Sequence, residues 1–233
     1  MSRAPEPGAS GPSPSQQSDA AAGRSRWGRG VVLVAVVLVL AVVAWVAWTW
    51  WGSTVVARQQ GRRAADAAVA SWAGEPSPST AGPRDGQVLA VMRIPALGQD
   101  WRWPVVASTD DAGRALEHGL AWYRGTALPG QVGNFAVAGR SATGANAFAH
   151  LVDVPAGAEV IVETPAATYH YVIDVPASRL TVDRSRTWVL DPVPGHPDAN
   201  PQQALITLTT SQDKVTTADR SVAFGHLTAT TKR

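Results

Sequence analysis

The chain has 233 residues, a formal net charge of +2 and no cysteine. Without cysteine it has no disulfide, no Cys-ligated zinc and no thiol nucleophile. Its five histidines are scattered without metal-ligand spacing, and its C-terminal part holds no dense basic stripe. The sequence therefore predicts no metal, no cofactor and no nucleic-acid partner.

The N-terminal part predicts a tail followed by a membrane-spanning helix. Residues 1–30 are rich in Pro, Ser, Gly and Ala, with almost no large apolar side chains, so we expect a disordered tail. Residues 31–51 form an apolar run interrupted only by Thr49. At about 1.5 Å per residue this run is long enough to cross a hydrocarbon core of about 30 Å. Tryptophans crowd its C-terminal end, as is typical of the headgroup interface.

The alternative to an uncleaved anchor is a signal peptide. A signal peptide has an apolar core of only about 7 to 15 residues and ends in a small-residue cleavage site, whereas this run is longer and ends in tryptophans. Arg24, Arg26 and Arg29 lie closer to the run than the arginines that follow it. We therefore expect a single-pass protein of the cytoplasmic membrane, with the N-terminus cytoplasmic and the C-terminal domain extracytoplasmic.

Beyond the membrane segment the composition changes twice. Residues 52–74, rich in Ala, Arg and Gln, predict a helical stalk, and residues 75–86, with three prolines and two glycines, predict a linker. Residues 87–229 then contain short apolar or β-branched runs bounded by Pro, Gly and Asp, and residues 230–233 are a tail. The predicted strands are 88–95, 134–138, 158–163, 168–175, 205–209 and 221–227. With a short helix expected over 110–123, the domain is predicted to be mainly β, a barrel or sandwich with one or two short helices.

Three segments carry a family resemblance. Residues 123–140 hold a Gly-Thr-Ala-Leu-Pro-Gly turn followed by a strand, residues 187–197 form a Pro-rich loop, and residues 205–220 join a Leu-Thr-Thr strand end to an arginine. In this order the segments resemble the sortases, specifically the class E type of Gram-positive actinobacteria. The resemblance implies a closed sortase-like β-barrel behind the membrane helix. It also implies membership of the transpeptidase family that anchors surface proteins to the cell wall.

The resemblance assigns roles to three positions. Sortases use a cysteine nucleophile, a histidine that protonates the leaving amine and an arginine that contacts the oxyanion or the peptide. Ser211 stands at the cysteine position, and Arg220, nine residues later, matches the arginine. Arg140 stands where the histidine is expected, either as its replacement or because a one-residue deletion removed it. We expect Arg140, Ser211 and Arg220 to converge on one groove.

Two of these three positions have lost the family's chemistry. A serine hydroxyl is a poor nucleophile without an adjacent base, and arginine stays charged and cannot shuttle protons. The resemblance therefore implies an inactive homologue that binds sorting-signal peptides of the Leu-Ala-x-Thr-Gly type or another sortase. The first alternative is an active transpeptidase or hydrolase that uses Ser211 as nucleophile, for which His150 is the least unsuitable base. The second is a structural barrel with neither role.

Overall fold

The computed structural model describes residues 24–47, 53–72, 82–107, 115–117, 119–141, 146–183, 185–211 and 219–233. The chain divides into two compact units, Met1–Trp50 and Trp51–Arg233. Residues 1–23 of the predicted tail and residues 73–81, which include most of the predicted linker, lie outside the described residues.

The first unit contains helix α1, Arg24–Ala47. Residues 24–30 therefore belong to this helix and not to the predicted tail. The apolar side chains of residues 31–43 are exposed. Within the described ranges, no helix combines the length and the apolar character that a membrane crossing requires. Residues 48–51 of the predicted span are not among those ranges.

The second unit is built around a β-barrel. The strands are β1 Val88–Arg93, β2 Arg102–Ala107, β3 Leu120–Trp122, β4 Gly133–Ala138, β5 Glu159–Glu163, β6 Ala167–Val175, β7 Thr181–Asp183, β8 Ala204–Ser211 and β9 Asp219–Lys232. Eight of them form a ring in the order β6-β5-β1-β2-β3-β4-β8-β9, which closes because β9 also pairs with β6. The first residues of β9 pair with the remaining short strand, β7.

This architecture confirms the prediction of a mainly β, closed barrel with few short helices. The short helices are single 3-10 turns at Pro95–Leu97, Leu151–Asp153 and Thr187–Leu190. The barrel interior is filled by one apolar cluster to which all of the eight ring strands contribute. Full burial of one large apolar side chain contributes about 1.5–3 kcal/mol, so this cluster dominates the stability of the unit.

β4 and β8 form a parallel pair in the wall of the barrel. Both strands are buried along almost their whole length. Parallel strands that are covered on both faces read as continuous apolar runs, which is the pattern of the sequences GNFAVA and ALITLT. The pair thus supports the residues that lie at the carboxyl ends of the two strands.

Two features of the barrel differ from the sequence prediction. The helix expected over 110–123 is reduced, in the described part, to one helical turn at 115–117, and Leu120–Trp122 is β3. β3 pairs with both β2 and β4, so sheet pairing has overridden the helical spacing of the local sequence. β2 was not predicted as a strand because Pro104 interrupts it, and proline usually argues against an internal strand.

The segment predicted as a helical stalk lies against the barrel. Residues Ser53–Trp72 form helix α2, which packs on β1. Ala65 and Ala68 are buried on Val91 of β1, and a side chain at Gly61 would overlap the ring of Trp103 in β2. The small residues that gave the segment its stalk-like composition are those that let the helix approach the sheet closely.

Tyr171 of β6 links the barrel interior to the turn after β3. Its side chain is fully buried, and Gly130 N donates to its hydroxyl oxygen at 2.7 Å. Burial raises the pKa of Tyr171 from 10.0 to about 12, because the ionised phenolate is poorly solvated inside the barrel.

We expect this group to produce an alkaline loss of stability. An unfolded tyrosine deprotonates near pH 10, whereas folded Tyr171 keeps its proton to about pH 12, so the unfolded state binds fewer protons in between. The contribution, on the order of 3 kcal/mol at about 1.4 kcal/mol per pKa unit, is complete below pH 10 and disappears as the pH rises to about 12. Tyr171→Phe should flatten the pH dependence of the urea unfolding free energy over this interval. Equal slopes for the two proteins would contradict the assignment.

Candidate functional site

Three strand ends meet at one rim of the barrel. β4 runs parallel to β8 with Ala138 opposite Thr209, and Gly139 N donates to Thr209 O at 3.0 Å. The pairing therefore continues to the residue before Arg140. β8 is antiparallel to β9, and in this register Ser211 is the partner of Arg220. The backbone thus places positions 140, 211 and 220 at or just beyond the ends of three adjacent strands, at the same rim.

The spacing of these positions follows from sheet geometry. Neighbouring strands lie about 4.8 Å apart, so positions 140 and 220, on either side of β8, are separated by about 10 Å between Cα atoms. Arg140 and Arg220 are both half-buried, and the carbonyl of Arg140 accepts a hydrogen bond from Phe148 N at 3.0 Å. Ser211 is described only as the last backbone position of β8, and its side chain lies outside the described residues.

Arg220 is fixed by a chain of hydroxyl groups. Its Nη1 donates to Tyr123 Oη at 2.8 Å, and Tyr123 Oη lies 3.0 Å from Thr209 Oγ1, where either oxygen can donate. Thr209 is 1% exposed and precedes Ser211 by two residues on β8. The guanidinium is thus held against the strand that carries position 211.

Tyr123 and Thr209 were not predicted as site residues. Tyr123 opens the 123–140 segment and Thr209 lies in the 205–220 segment, so both were within the motifs that carried the resemblance. Their contact joins residues 86 apart, which no local pattern reveals. A tyrosine at the start of one motif and a threonine two residues before position 211 in another were the only signals available.

The turn after β3 positions Tyr123. Its carbonyl accepts from Thr126 Oγ1 at 2.7 Å and from Thr126 N at 3.2 Å. Ala127 N donates to Asn134 O at 2.9 Å, and Trp122 Nε1 donates to Ala127 O at 3.0 Å. These bonds close the Gly-Thr-Ala-Leu-Pro-Gly turn on β4 and leave Tyr123 at its base, facing Arg220.

The loop before β8 is fastened to the outer face of β4 and β8. Asn134 Nδ2 donates to the carbonyls of Val189 and Asp191, each at 3.0 Å, and Thr207 Oγ1 donates to Asn134 Oδ1 at 2.7 Å. Asn134 and Thr207 are buried, so each lost partner would leave a buried polar group unpaired at a cost of about 1–3 kcal/mol. The loop therefore forms a fixed wall beside the barrel.

Three of the five histidines contact carboxylates and not Ser211 in the described structure. His150 Nδ1 lies 3.0 Å from Asp153, His170 Nδ1 lies 2.7 Å from Glu159, and His226 Nδ1 lies 2.8 Å from Asp174. His226 pairs with Leu205, six residues before Ser211, which corresponds to about 20 Å along a strand. His196 is exposed in the loop before β8, and His118 lies outside the described residues.

In the part of the chain that the structure describes, no group of three or more His, Cys, Asp or Glu side chains is arranged to hold a metal ion. The chemically distinctive groups at the rim are instead the arginines and the hydroxyls beside them.

The closed eight-stranded barrel, with its candidate site at one rim, has the sortase-type transpeptidase fold, because it is matched by a sortase family model. The family model described as the Sortase domain matches residues 92–228, which is more than half of the chain. The chain belongs to the sortase family. No curated protein matches the chain.

Solved sortase structures resemble this chain over most of their length. Sortase E from Streptomyces avermitilis is 33% identical with a TM-score of 0.56, covering 64% of this chain and 93% of that chain. Sortase E1 from Streptomyces coelicolor, solved with a tripeptide in its active site, is 25% identical with a TM-score of 0.55, covering 65% and 94%. The SrtF sortase from Corynebacterium diphtheriae, at 23% identity and a TM-score of 0.60 over 68% and 93%, shares the fold.

Proposed function

We propose that this chain is a membrane-anchored, class E sortase homologue that binds sorting-signal peptides, or a partner sortase, without cleaving them. The observation that carries the proposal is the set of residues at positions 140, 211 and 220 of the barrel rim. Arg220 donates to Tyr123, whose hydroxyl contacts Thr209, whereas positions 211 and 140 carry serine and arginine in place of a thiol and a proton donor. Similarity to the sortase E structures from two Streptomyces species supports the class.

The missing chemistry favours binding over turnover. Transpeptidation needs a nucleophile that attacks the peptide carbonyl and a group that gives a proton to the leaving amine. Ser211 would need an adjacent base, and the side-chain partners of His150, His170 and His226 are carboxylates. Arg140 keeps its charge at neutral pH and cannot act as the acid. A guanidinium at position 220 can still donate to a peptide carbonyl.

Anchoring in the cytoplasmic membrane is the second part of the proposal. Its support is the apolar run of residues 31–51 and the three arginines that precede it closely. This topology leaves the N-terminus in the cytoplasm and places the barrel on the outer side, where sorting signals of other proteins emerge. Protease added to intact cells should then cut the barrel but not a tag fused to the N-terminus. Protection of the barrel would contradict this topology.

Direct titration tests the binding function. A dye-labelled peptide of the Leu-Ala-x-Thr-Gly type, amidated at its C-terminus, is titrated with the full chain and followed by fluorescence anisotropy. We expect saturable binding that Arg220→Gln weakens by about tenfold, because a charge-assisted hydrogen bond is lost. Arg179→Gln, at an exposed position after β6, is the matched control and should bind as the parent does. Absence of binding at millimolar peptide in this titration would remove the peptide-binding function.

The same peptide in quenched fluorogenic form tests the alternative activity. Turnover by the parent chain that disappears in Ser211→Ala would instead show an active serine enzyme, and the proposal of an inactive homologue would be wrong.

A further inference from the structure

Helix α2 meets the barrel through a narrow seam of small residues. Gly61, Ala65 and Ala68 are buried at helical spacing, and the two alanines pack on Val91 of β1. A side chain at Gly61 would overlap the ring of Trp103. Apolar stabilisation grows with the area removed from water, so each alanine methyl group contributes much less than a large side chain of the barrel interior.

Two ion pairs join α2 to the barrel beside this seam. Arg62 of the helix donates to Asp100 at 3.0 Å, and Arg102 of β2 contacts Asp66 of the helix at 2.9 Å. The side chains of Asp100 and Asp66 are 75% and 60% exposed. Ion pairs that water reaches in this way are screened by salt, and each shifts an equilibrium by about fivefold at most.

The C-terminal end of α2 adds a third contact that water reaches. Cζ of Arg233 lies 5.8 Å from the centroid of the Trp72 ring, and the same guanidinium contacts Glu163 of β5 at 2.9 Å. Trp72 is only half-buried. The described contacts of α2 with the barrel are therefore either small in apolar area or open to solvent.

We propose that α2 is a strap that leaves the barrel surface and returns to it while the barrel stays folded, with an equilibrium that salt controls. The eight ring strands share one buried apolar cluster, and no described side chain of α2 belongs to it. Elements with few buried apolar contacts open at a lower free energy than the core strands of the same domain. The sortase family model begins at residue 92, so the strap lies outside the matched region.

Release of the strap changes the charges on the barrel surface. Arg93 and Arg102 are register partners in β1 and β2, and like charges in this position repel. Glu163 contacts Arg93, and Asp66 is the carboxylate that contacts Arg102. Release separates Arg102 from Asp66, so their attraction favours the docked strap at low salt. Release also adds residues 53–72 to the free length of chain that precedes β1.

Hydrogen exchange of the full chain in detergent micelles, followed by mass spectrometry, tests the strap. We expect the protection of α2 amides to be at least about tenfold lower than that of β8 amides, because α2 opens without the barrel. Raising the salt from about 0.1 M to about 1 M shortens the screening length from about 10 Å to about 3 Å. This change should lower the protection of α2 by about threefold and leave that of β8 unchanged.

Substitutions on the helix distinguish docking from helix formation. Arg62→Gln should lower the protection of α2 by about two- to fivefold, whereas Arg63→Gln, at the exposed neighbouring position, is the matched control. Gly61→Ala favours the helical conformation, so it would raise the protection of a helix that forms by itself. Because its Cβ overlaps the ring of Trp103, we expect it to lower the protection of docked α2 by at least about tenfold.

Each outcome decides for or against the strap. Equal protection of α2 and β8 would mean that they open together, and higher protection in Gly61→Ala would mean that α2 is protected by its own helicity; either result overturns the proposal. Protection that ignores salt, or equal effects of Arg62→Gln and Arg63→Gln, would reject control by the ion pairs. Loss of β8 protection in the variants would contradict a strap that moves independently, and unchanged β8 protection supports it.

Discussion

The double substitution Arg140→His with Ser211→Cys is expected to give a thiol-dependent peptidase activity that the parent chain lacks. The register already places position 211 at the end of β8, opposite Arg220, with position 140 next to it on the β4 side. A cysteine there supplies an intrinsically strong nucleophile, and a histidine supplies the proton donor. General acid–base catalysis contributes about a hundredfold or more, so we expect at least that increase in release of a fluorophore from a quenched Leu-Ala-x-Thr-Gly peptide.

The absence of any other cysteine makes the control for this prediction direct. The parent chain contains no thiol, so loss of the new activity on treatment with a thiol-selective reagent reports on position 211. Each single substitution should remain near background, because one member of the pair is still missing. A histidine inserted before Arg140 tests the deletion alignment in the same assay. A double variant that folds and binds peptide without thiol-dependent turnover would show that the groove itself has diverged from that of an active sortase.

The substitution Gly130→Ala is expected to have the largest effect on stability, about 3 kcal/mol. Gly130 has a φ of 75°, a left-handed conformation that costs an alanine about 1–2 kcal/mol. A Cβ at this position would also overlap the ring of Tyr169, and overpacking of this kind costs about 1–3 kcal/mol. The turn it belongs to leads from Tyr123, so a shift here should also weaken peptide binding.

Gly86 offers a matched control for Gly130. It has the same φ of 75°, but a Cβ there meets nothing within 4 Å. Gly86→Ala should therefore cost only the conformational part, about 1–2 kcal/mol. The difference between the two variants in urea unfolding measures the overlap with Tyr169, and truncation of that ring in the Gly130→Ala background should recover part of it. Equal losses at the two glycines would mean that the ring moves aside without cost.

Strands with a clear apolar pattern were predictable from the sequence. The predicted runs 88–95, 134–138, 158–163 and 205–209 overlap β1, β4, β5 and β8. Alternating or continuous apolar residues between Gly and Pro identify such strands because burial of one or both faces imposes the pattern. β2, β3 and β7 escaped prediction because they are short or contain proline, and pairing with neighbouring strands, rather than local preference, makes them extended.

The sequence by itself determined the chemical inventory of the site. It showed that no thiol exists, a conclusion that depends only on residue identity. The resemblance to the sortases implied that Ser211, Arg140 and Arg220 stand at the three catalytic positions, and this assignment stays a prediction.

Only the tertiary structure decided how that inventory is arranged. The bonds that hold Arg220 link it to Tyr123, 97 residues away, and link Tyr123 to Thr209 across 86 residues. The parallel pairing of β4 with β8 brings position 140 next to position 211. The absence of a side chain at Gly61 leaves room for the ring of Trp103, which lets α2 pack closely on the sheet. Such contacts depend on strand register and on close packing between distant segments, which local sequence patterns do not encode.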